Sequence, residues 1–265
     1  MPLEPTTPTL RTHIDESARV LWLTLDRPKG NILGRKLLEE LVAALDRHRD
    51  DAQLKLVVLR GAGGQFSYGA AIDEHRPGQM RELLVALHTA ARRLALNPVP
   101  VAALIEGRAL GGALELAISC HFIFATHDAR LGCPEIKLGV LPPLFAVAAP
   151  ARFGGALTER LMLTGEEIDA ATAEQAGWLT QRFAGDAAAE DALRAWYRQH
   201  LAPLSAFAIR EATRAIRIRS PLAAALGQPL DDSERDYMER IATSHDGNEG
   251  IDAFMEKRAP RWNDR

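Results

Sequence analysis

Two glutamates are the residues of this chain best suited to moving a proton. Glu115 lies in Ala109-Leu-Gly-Gly-Ala-Leu-Glu115-Leu, within an almost wholly apolar stretch from Ala109 to Ala125. Glu135 follows twenty residues later in Gly132-Cys-Pro-Glu135-Ile. An unpaired ionised carboxylate in an apolar stretch is costly, so Glu115 has either a partner or a use for its acidity. Two carboxylates converging on one pocket are the usual equipment for proton transfer to and from carbon or water. Read as a helix start, Gly111-Gly112 offers first-turn amides that have no partner inside the helix and point outward at its positive end. Glycine lets a ligand approach that backbone, and residues 112 and 115 share one helix face. A carbonyl oxygen on the Gly112 amide would therefore lie near the Glu115 carboxylate. The same residues also fit a tight Gly-Gly turn with a glutamate reaching solvent or a salt bridge.

A second loop, Gly64-Gln-Phe-Ser-Tyr-Gly-Ala-Ala-Ile-Asp73, follows a strand at its carboxyl end, where α/β sheets bind ligands. It could supply the second donor of an oxyanion hole, although such loops are more often plain turns. A lone Pro134-Glu135 pair ordinarily reads as surface. His75, His121 and His127 have no partner at ligand or triad spacing, and Arg210, Arg214, Arg217 and Arg219 read as a solvated helix face.

The elements that must position these residues alternate. Val20–Leu25, Leu54–Leu59, Val101–Ile105 and Phe122–Ala125 read as strands, and Lys36–Arg49 and Met80–Leu96 as amphipathic helices. A further helix opens at Gly111-Gly112. Repeated strand–helix–strand units imply a parallel sheet covered by helices. After about Leu161 strand signals vanish, and helices are expected at Ala170–Ala176, Ala187–Leu201, Ser205–Ile218, Asp232–Thr243 and Glu249–Arg258.

The chain has 265 residues, enough for a sizeable core in one domain, with 47% hydrophobic and 25% charged residues. Its 32 basic and 35 acidic side chains give a net charge of −3, which argues against nucleic acid as a partner. No apolar run is long enough to span a membrane. Met1–Pro8 has no basic region followed by an apolar run, so no secretory leader is expected. Cys120 and Cys133 sit in no metal-ligand spacing, and a reduced, cytoplasmic protein without a metal site is the expectation.

Together these segments resemble the crotonase (enoyl-CoA hydratase/isomerase) superfamily, nearly end to end. Phe66-Ser-Tyr-Gly-Ala70 is similar to its first oxyanion segment, which puts one donor at Ala70. Glu106-Gly-Arg-Ala-Leu-Gly-Gly-Ala-Leu-Glu115 is similar to the second, which puts the other at Gly112. The resemblance implies catalytic roles for Glu115 and Glu135, because hydratases of this group keep both glutamates while isomerases, decarboxylases and thioesterases commonly keep one or neither. It also implies contacts to the CoA ester from Lys29, Ala71, Ile72, Asp73, Gly111, Phe254 and Lys257, the last two reaching the CoA of an adjacent subunit. The implied fold is α/β, a spiral of repeated ββα units over 1–200, with a helical trimerisation region over 201–265. The implied assembly is a homotrimer or dimer of trimers, acting on an acyl-CoA thioester, with no cofactor beyond the CoA in the substrate.

Three departures bear on the acyl pocket. Ala71 stands where the family usually has an aspartate, Val140-Leu-Pro-Pro-Leu-Phe145 replaces a glycine-rich run, and the turn Arg27-Pro-Lys-Gly-Asn31 is short. Within the superfamily, Phe66–His75 and the segment starting Ser244-His-Asp most resemble the branch that hydrates cyclic dienoyl-CoA esters. A general enoyl-CoA hydratase or an isomerase using one glutamate is the alternative. A non-catalytic member binding CoA esters or RNA is a different class, disfavoured by the acidic charge and by retention of both glutamates.

Overall fold

The apolar runs expected to be strands form the centre of the main sheet. The computed structural model describes residues 9–75, 78–183 and 188–265, so Met1–Pro8 and the first residue of the helix expected from Ala187 lie outside the described residues. Strands β1 (Leu10–Asp15) and β2 (Val20–Leu25) are followed by α1 (Arg35–His48), β3 (Leu56–Gly61), α2 (Met80–Ala95), β4 (Val101–Ile105), β5 (Arg108–Leu110), α3 (Gly112–Ser119), β6 (Phe122–Thr126) and β7 (Arg130–Gly132). A 3-10 turn at Pro134–Leu138 leads to α4 (Pro143–Phe153), α5 (Gly155–Thr164), β8 (Glu167–Asp169), α6 (Ala170–Gln175) and β9 (Gln181–Phe183). Then come α7 (Ala189–His200), α8 (Ala206–Arg217), α9 (Pro221–Ala225), α10 (Gln228–Asp236), a π turn at Tyr237–Ile241 and α11 (His245–Met255).

The main sheet has the order β1-β2-β3-β4-β6-β9, with β1 antiparallel to β2 and each later pair parallel. Its central strands β2, β3, β4 and β6 are apolar on both faces because both faces are covered. Alternate residues Leu21, Leu23, Leu25, Val57, Leu59 and Ala103 join a core with α1, α2 and α3. The intervening Trp22, Leu56, Val58, Ala102, Leu104 and Phe124 pack on Leu193 and Tyr197 of α7. Two strands fall in the region expected to be purely helical. Glu167–Asp169 and Gln181–Phe183 are only three residues each, too short and too polar to carry a periodic signal, and the second completes the main sheet.

Strands β2, β3, β4 and β6 are each followed by a short extended segment and then a helical one, and these short segments stack. Leu33 bridges Ala70, Ser67 bridges Ala109, and Ala109 pairs with Leu131. This ladder is the repeated ββα spiral, and it sets three loops side by side at one end of the molecule.

The helix α3 runs through the core, and all eight of its residues are buried. Its C-terminal carbonyls are met by two guanidiniums: Arg152 donates to Ile118 O and Cys120 O, and Arg217 Nη2 donates to Cys120 O at 2.6 Å. Cations at this end complement the helix dipole. Arg217 is therefore buried rather than on a solvated face, while Arg210 caps the carbonyls of Arg49 and Asp51. Burial, then the charge of Arg217, pushes the Arg152 guanidinium down to about 9.

The last helices fold back over the loop end of their own chain. Ser233 Oγ of α10 donates to Pro143 O at 3.1 Å, and α11 lies on the Pro134–Leu138 turn. Gly250 allows that approach, since a Cβ there would overlap the Leu138 carbonyl. Gly250→Ala is expected to lower stability by about 1–3 kcal/mol in denaturant titration, the usual cost of overpacking against backbone. Unchanged stability would show that α11 does not press on this turn.

Candidate active site

The first loop is shaped by the ladder. Leu33 N donates to Gly69 O at 2.9 Å and Ala71 N donates to Leu33 O at 3.0 Å, so the Ala70 amide is turned to the opposite side. Gly69 has φ +101° and sits against the next rung, where a Cβ would lie 2.6 Å from Leu110 O and 3.6 Å from Gly112 N. Only glycine fits there. Gly112 opens α3, and its amide is one of the first-turn donors without an intrahelical acceptor. A Cβ on Gly112 would be 3.5 Å from Ala70 N, so the two loops abut. No described residue accepts a hydrogen bond from the Ala70 or Gly112 amide.

Glu115 is 2% exposed, one turn into α3. Its Oε1 accepts from Phe145 N at 2.8 Å. Phe145 is in the first turn of α4, whose N-cap position is Pro142 and has no capping side chain. The glutamate thus takes the place of a cap for an amide that would otherwise be orphaned. Burial raises its pKa, opposed by the charge of His88 and by the Phe145 and Leu144 amides.

Glu135 arrives from the adjacent rung. Gly111 N donates to Gly132 O at 2.9 Å, and Gly111, at φ +52°, lies under the Glu135 carboxylate so closely that a Cβ would overlap Oε1. The residue as a whole is half-buried, but its Oε2 is sealed from solvent with no hydrogen-bond partner. Desolvation, and then the charge of Glu115, pushes this carboxyl up to about 8. The Pro-Glu pair that reads as surface is thus covered by α11 and the π turn.

Tyr237 belongs to an apolar cluster with Met80, Leu84, Val140 and Ile251, with Ile72 packed against them. A cavity of about 200 Å³ beside this cluster is lined by Met80, Val140, Tyr237 and Ile251 among others, but by neither glutamate and by neither Ala70 nor Gly112. Burial, then the charges of Glu135 and Glu115, raises the pKa of Tyr237, so this phenol faces both carboxylates in its neutral form.

Of the positions singled out in the sequence, the structure brings together Ala70, Gly111, Gly112, Glu115 and Glu135. Ala71 is buried behind the first loop, and Asp73 is exposed beside it. Lys29 is exposed at φ +67°, and Phe254 and Lys257 are exposed at the far end of α11. Three groups escaped sequence reasoning: the Phe145 amide, Tyr237, and His88 with Glu234, whose Nδ1 and Oε2 are 2.7 Å apart. Only the lone histidine on the buried face of α2 left a trace in the sequence.

A ββα spiral that sets two carboxylates beside two unpartnered backbone amides defines the crotonase class of fold and site. The model of the family "Enoyl-CoA hydratase/isomerase" matches residues 15–265. The chain belongs to the enoyl-CoA hydratase/isomerase family. It is 38% identical over 260 residues to a cyclohexa-1,5-dienecarbonyl-CoA hydratase of Thauera aromatica, covering 97% of each chain. It is 33% identical to a 2,3-dehydroadipyl-CoA hydratase of Escherichia coli (strain K12), covering 95% of this chain and 98% of that one. The crystal structure of an enoyl-CoA hydratase from Mycobacterium avium subsp. paratuberculosis K-10 superposes with a TM-score of 0.84 at 26% identity, covering 97% of this chain and 99% of that one.

The raised Glu135 pKa has a consequence for stability. Between 4.5 and about 8 the unfolded chain loses this proton while the native state keeps it, so native stability falls as pH rises through that window and levels off above it. Glu135→Gln removes this loss. Its stability relative to the parent is expected to be higher at pH 8 than at pH 5 in urea titration; a gap independent of pH would contradict the burial of this carboxyl.

Proposed function

We propose that this protein is a hydro-lyase that adds water to a conjugated enoyl- or dienoyl-CoA. Its proposed substrate is cyclohexa-1,5-diene-1-carbonyl-CoA, giving 6-hydroxycyclohex-1-ene-1-carbonyl-CoA. The observation that carries the reading is the meeting of Glu115 and Glu135 in one sealed site beside the abutting Ala70 and Gly112 loops. In this reading the thioester oxygen sits between those two amides, which stabilise the enolate formed as water adds. Glu115, held by the Phe145 amide, orients the water and takes its proton. Glu135, neutral up to about 8, gives a proton to carbon. The two carboxyls titrate as a pair, and the active form holds one proton between them. The chemistry proposed needs no metal or redox group; CoA is part of the substrate.

The apolar cluster of Met80, Val140, Tyr237 and Ile251, whose Tyr237 faces the two glutamates, suits an apolar acyl group. The similarity to the Thauera aromatica protein supports the cyclic dienoyl substrate. Lys29, Ile72 and Asp73 are proposed CoA-side contacts. Phe254 and Lys257, exposed at the end of α11, are proposed to reach a neighbouring subunit's CoA in a homotrimer or dimer of trimers. Phe207 and Ile216, exposed on α8, supply apolar surface for such contacts. Buried, unpaired Cys120 and Cys133 fit a cytoplasmic setting. Among the described residues no helix is long and apolar enough to cross a membrane.

The test is turnover of cyclohexa-1,5-diene-1-carbonyl-CoA beside crotonyl-CoA in ¹⁸O-labelled water, followed by mass spectrometry. One labelled oxygen gained on the cyclic diene is expected. Label on crotonyl-CoA alone would make the protein a general hydratase, and double-bond migration without label would make it an isomerase. Glu115→Gln and Glu135→Gln are each expected to lose at least ~100-fold in turnover with little change in CoA-ester affinity. Near-parental turnover in both variants would overturn the mechanism.

A further inference from the structure

A groove of about 690 Å³ lies at the other end of α3 from the carboxylates. The eight residues of that helix put about 12 Å between its two ends. The lining runs from Pro100 and Phe122, at the entries of β4 and β6, to Leu201, Ile209 and Leu222 of the C-terminal helices. No aspartate or glutamate lines the groove, but Arg152 and Arg217 do. These two guanidiniums share an acceptor. Arg152 Nη1 and Arg217 Nη2 both donate to Cys120 O, and Arg152 also reaches Ile118 O and, through Nη2, His121 O at 3.2 Å. Neither bonds a carboxylate, and Nε of Arg152 and Nε and Nη1 of Arg217 donate to no described residue. His121 is the third basic residue of the lining. Its Nδ1 accepts from Val101 N at 3.0 Å, and burial, then the two guanidiniums, pushes its pKa well down, so the ring is neutral. The charge balance is left open. A helix C-terminus supplies about half an elementary negative charge against two whole positive ones. Like charges this close and largely out of water are costly without a counter-ion.

We propose that this groove binds a carboxylate with an apolar body, its head at the guanidiniums of Arg152 and Arg217 and its body along α8. The proposal rests on no step of the hydration reading. A planar guanidinium matches a carboxylate in shape as well as charge, and the uncommitted N–H groups are the donors such a head needs. Ser205, Thr213 and Ser220 also line the groove, but their hydroxyls are engaged with the backbone of α8 and α9. The rest of the lining is almost wholly apolar. Few placed polar groups in an apolar concavity of several hundred Å³ is the usual composition of a small-molecule site. Ile216 lines the groove too, and it is exposed, so a neighbouring subunit is the rival occupant. An apolar patch of that subunit would leave both arginines without a counter-ion, which favours the carboxylate.

The test is calorimetric titration of the full-length protein with sodium octanoate, below its micelle concentration, and with octanamide as the neutral match. One saturable site per chain is expected, ~10-fold or more tighter for octanoate, the usual worth of a hydrogen bond to a charged group. Arg217→Gln is expected to lose ~10-fold or more of the octanoate affinity and to keep that for octanamide. Ala208→Trp places an indole at an exposed lining position of α8, disturbs no buried charge, and is expected to abolish binding of both. It decides the matter if Arg217→Gln does not fold. Equal affinity for octanoate and octanamide, or octanoate binding unchanged in Ala208→Trp, would overturn the proposal. No octanoate binding to the parent would overturn it as well; a fall in the sedimentation coefficient of Ala208→Trp would then assign the groove to a neighbouring subunit.

Discussion

Two carboxylates forced together away from water cannot both be ionised, and the rest of the site follows from that constraint. Glu115 is 2% exposed, and Glu135 keeps an oxygen that nothing hydrogen-bonds. Left to burial alone, both would be neutral and neither could act as a base. The surroundings break the symmetry. Glu115 receives the Phe145 amide and the charge of His88, and Glu135 receives no such support beyond its own backbone amide. In the proposed reaction, one proton on the pair, held on Glu135, supplies the acid and the base that addition of water to a conjugated double bond requires.

The spiral converts this local requirement into a fold. Each turn ends in a short segment paired with the one before it, so Leu33, Ala70, Ser67, Ala109 and Leu131 belong to one ladder, although nearly a hundred residues separate its ends. Glycine stands where the rungs must approach most closely: Gly69 against Leu110 and Gly111 under Glu135. At the other end of α3, Arg152 and Arg217 take up the last carbonyls of the helix and complement its dipole. The segment Val140–Phe145, which departs from the family's glycine-rich pattern, starts α4 and supplies the Phe145 amide. Its proline-rich entry leaves α4 without a side-chain cap, and Glu115 fills that role.

What the sequence made legible is what local chemistry determines. The both-face apolar runs of β2 and β4 and the buried stripes of α1 and α2 follow from period and composition, and the glutamate in an apolar run marks Glu115 directly. Glu135 carried a weaker mark: a Pro-Glu pair reads as surface, and the elements packed on it, α11 and Tyr237, lie more than a hundred residues later in the chain. Arg217 looked like one of four exposed arginines because the carbonyls it caps belong to a helix nearly a hundred residues earlier. The strands β8 and β9 are short and polar, and α4 carries prolines at its start and at Pro150, so neither type of element had a readable period. The same holds for His88 and Glu234, which meet across 146 residues.

The claim at the centre of this account is that a neutral carboxylic acid persists in the site at neutral pH, on Glu135. Difference infrared spectroscopy of the protein and of Glu135→Gln, titrated from pH 5 to pH 10, addresses it directly. A protonated-carboxyl band at pH 7 that is lost near pH 8 and is absent from the variant is the predicted result. Two fully ionised glutamates at pH 6, with no such band in the parent protein, would contradict it.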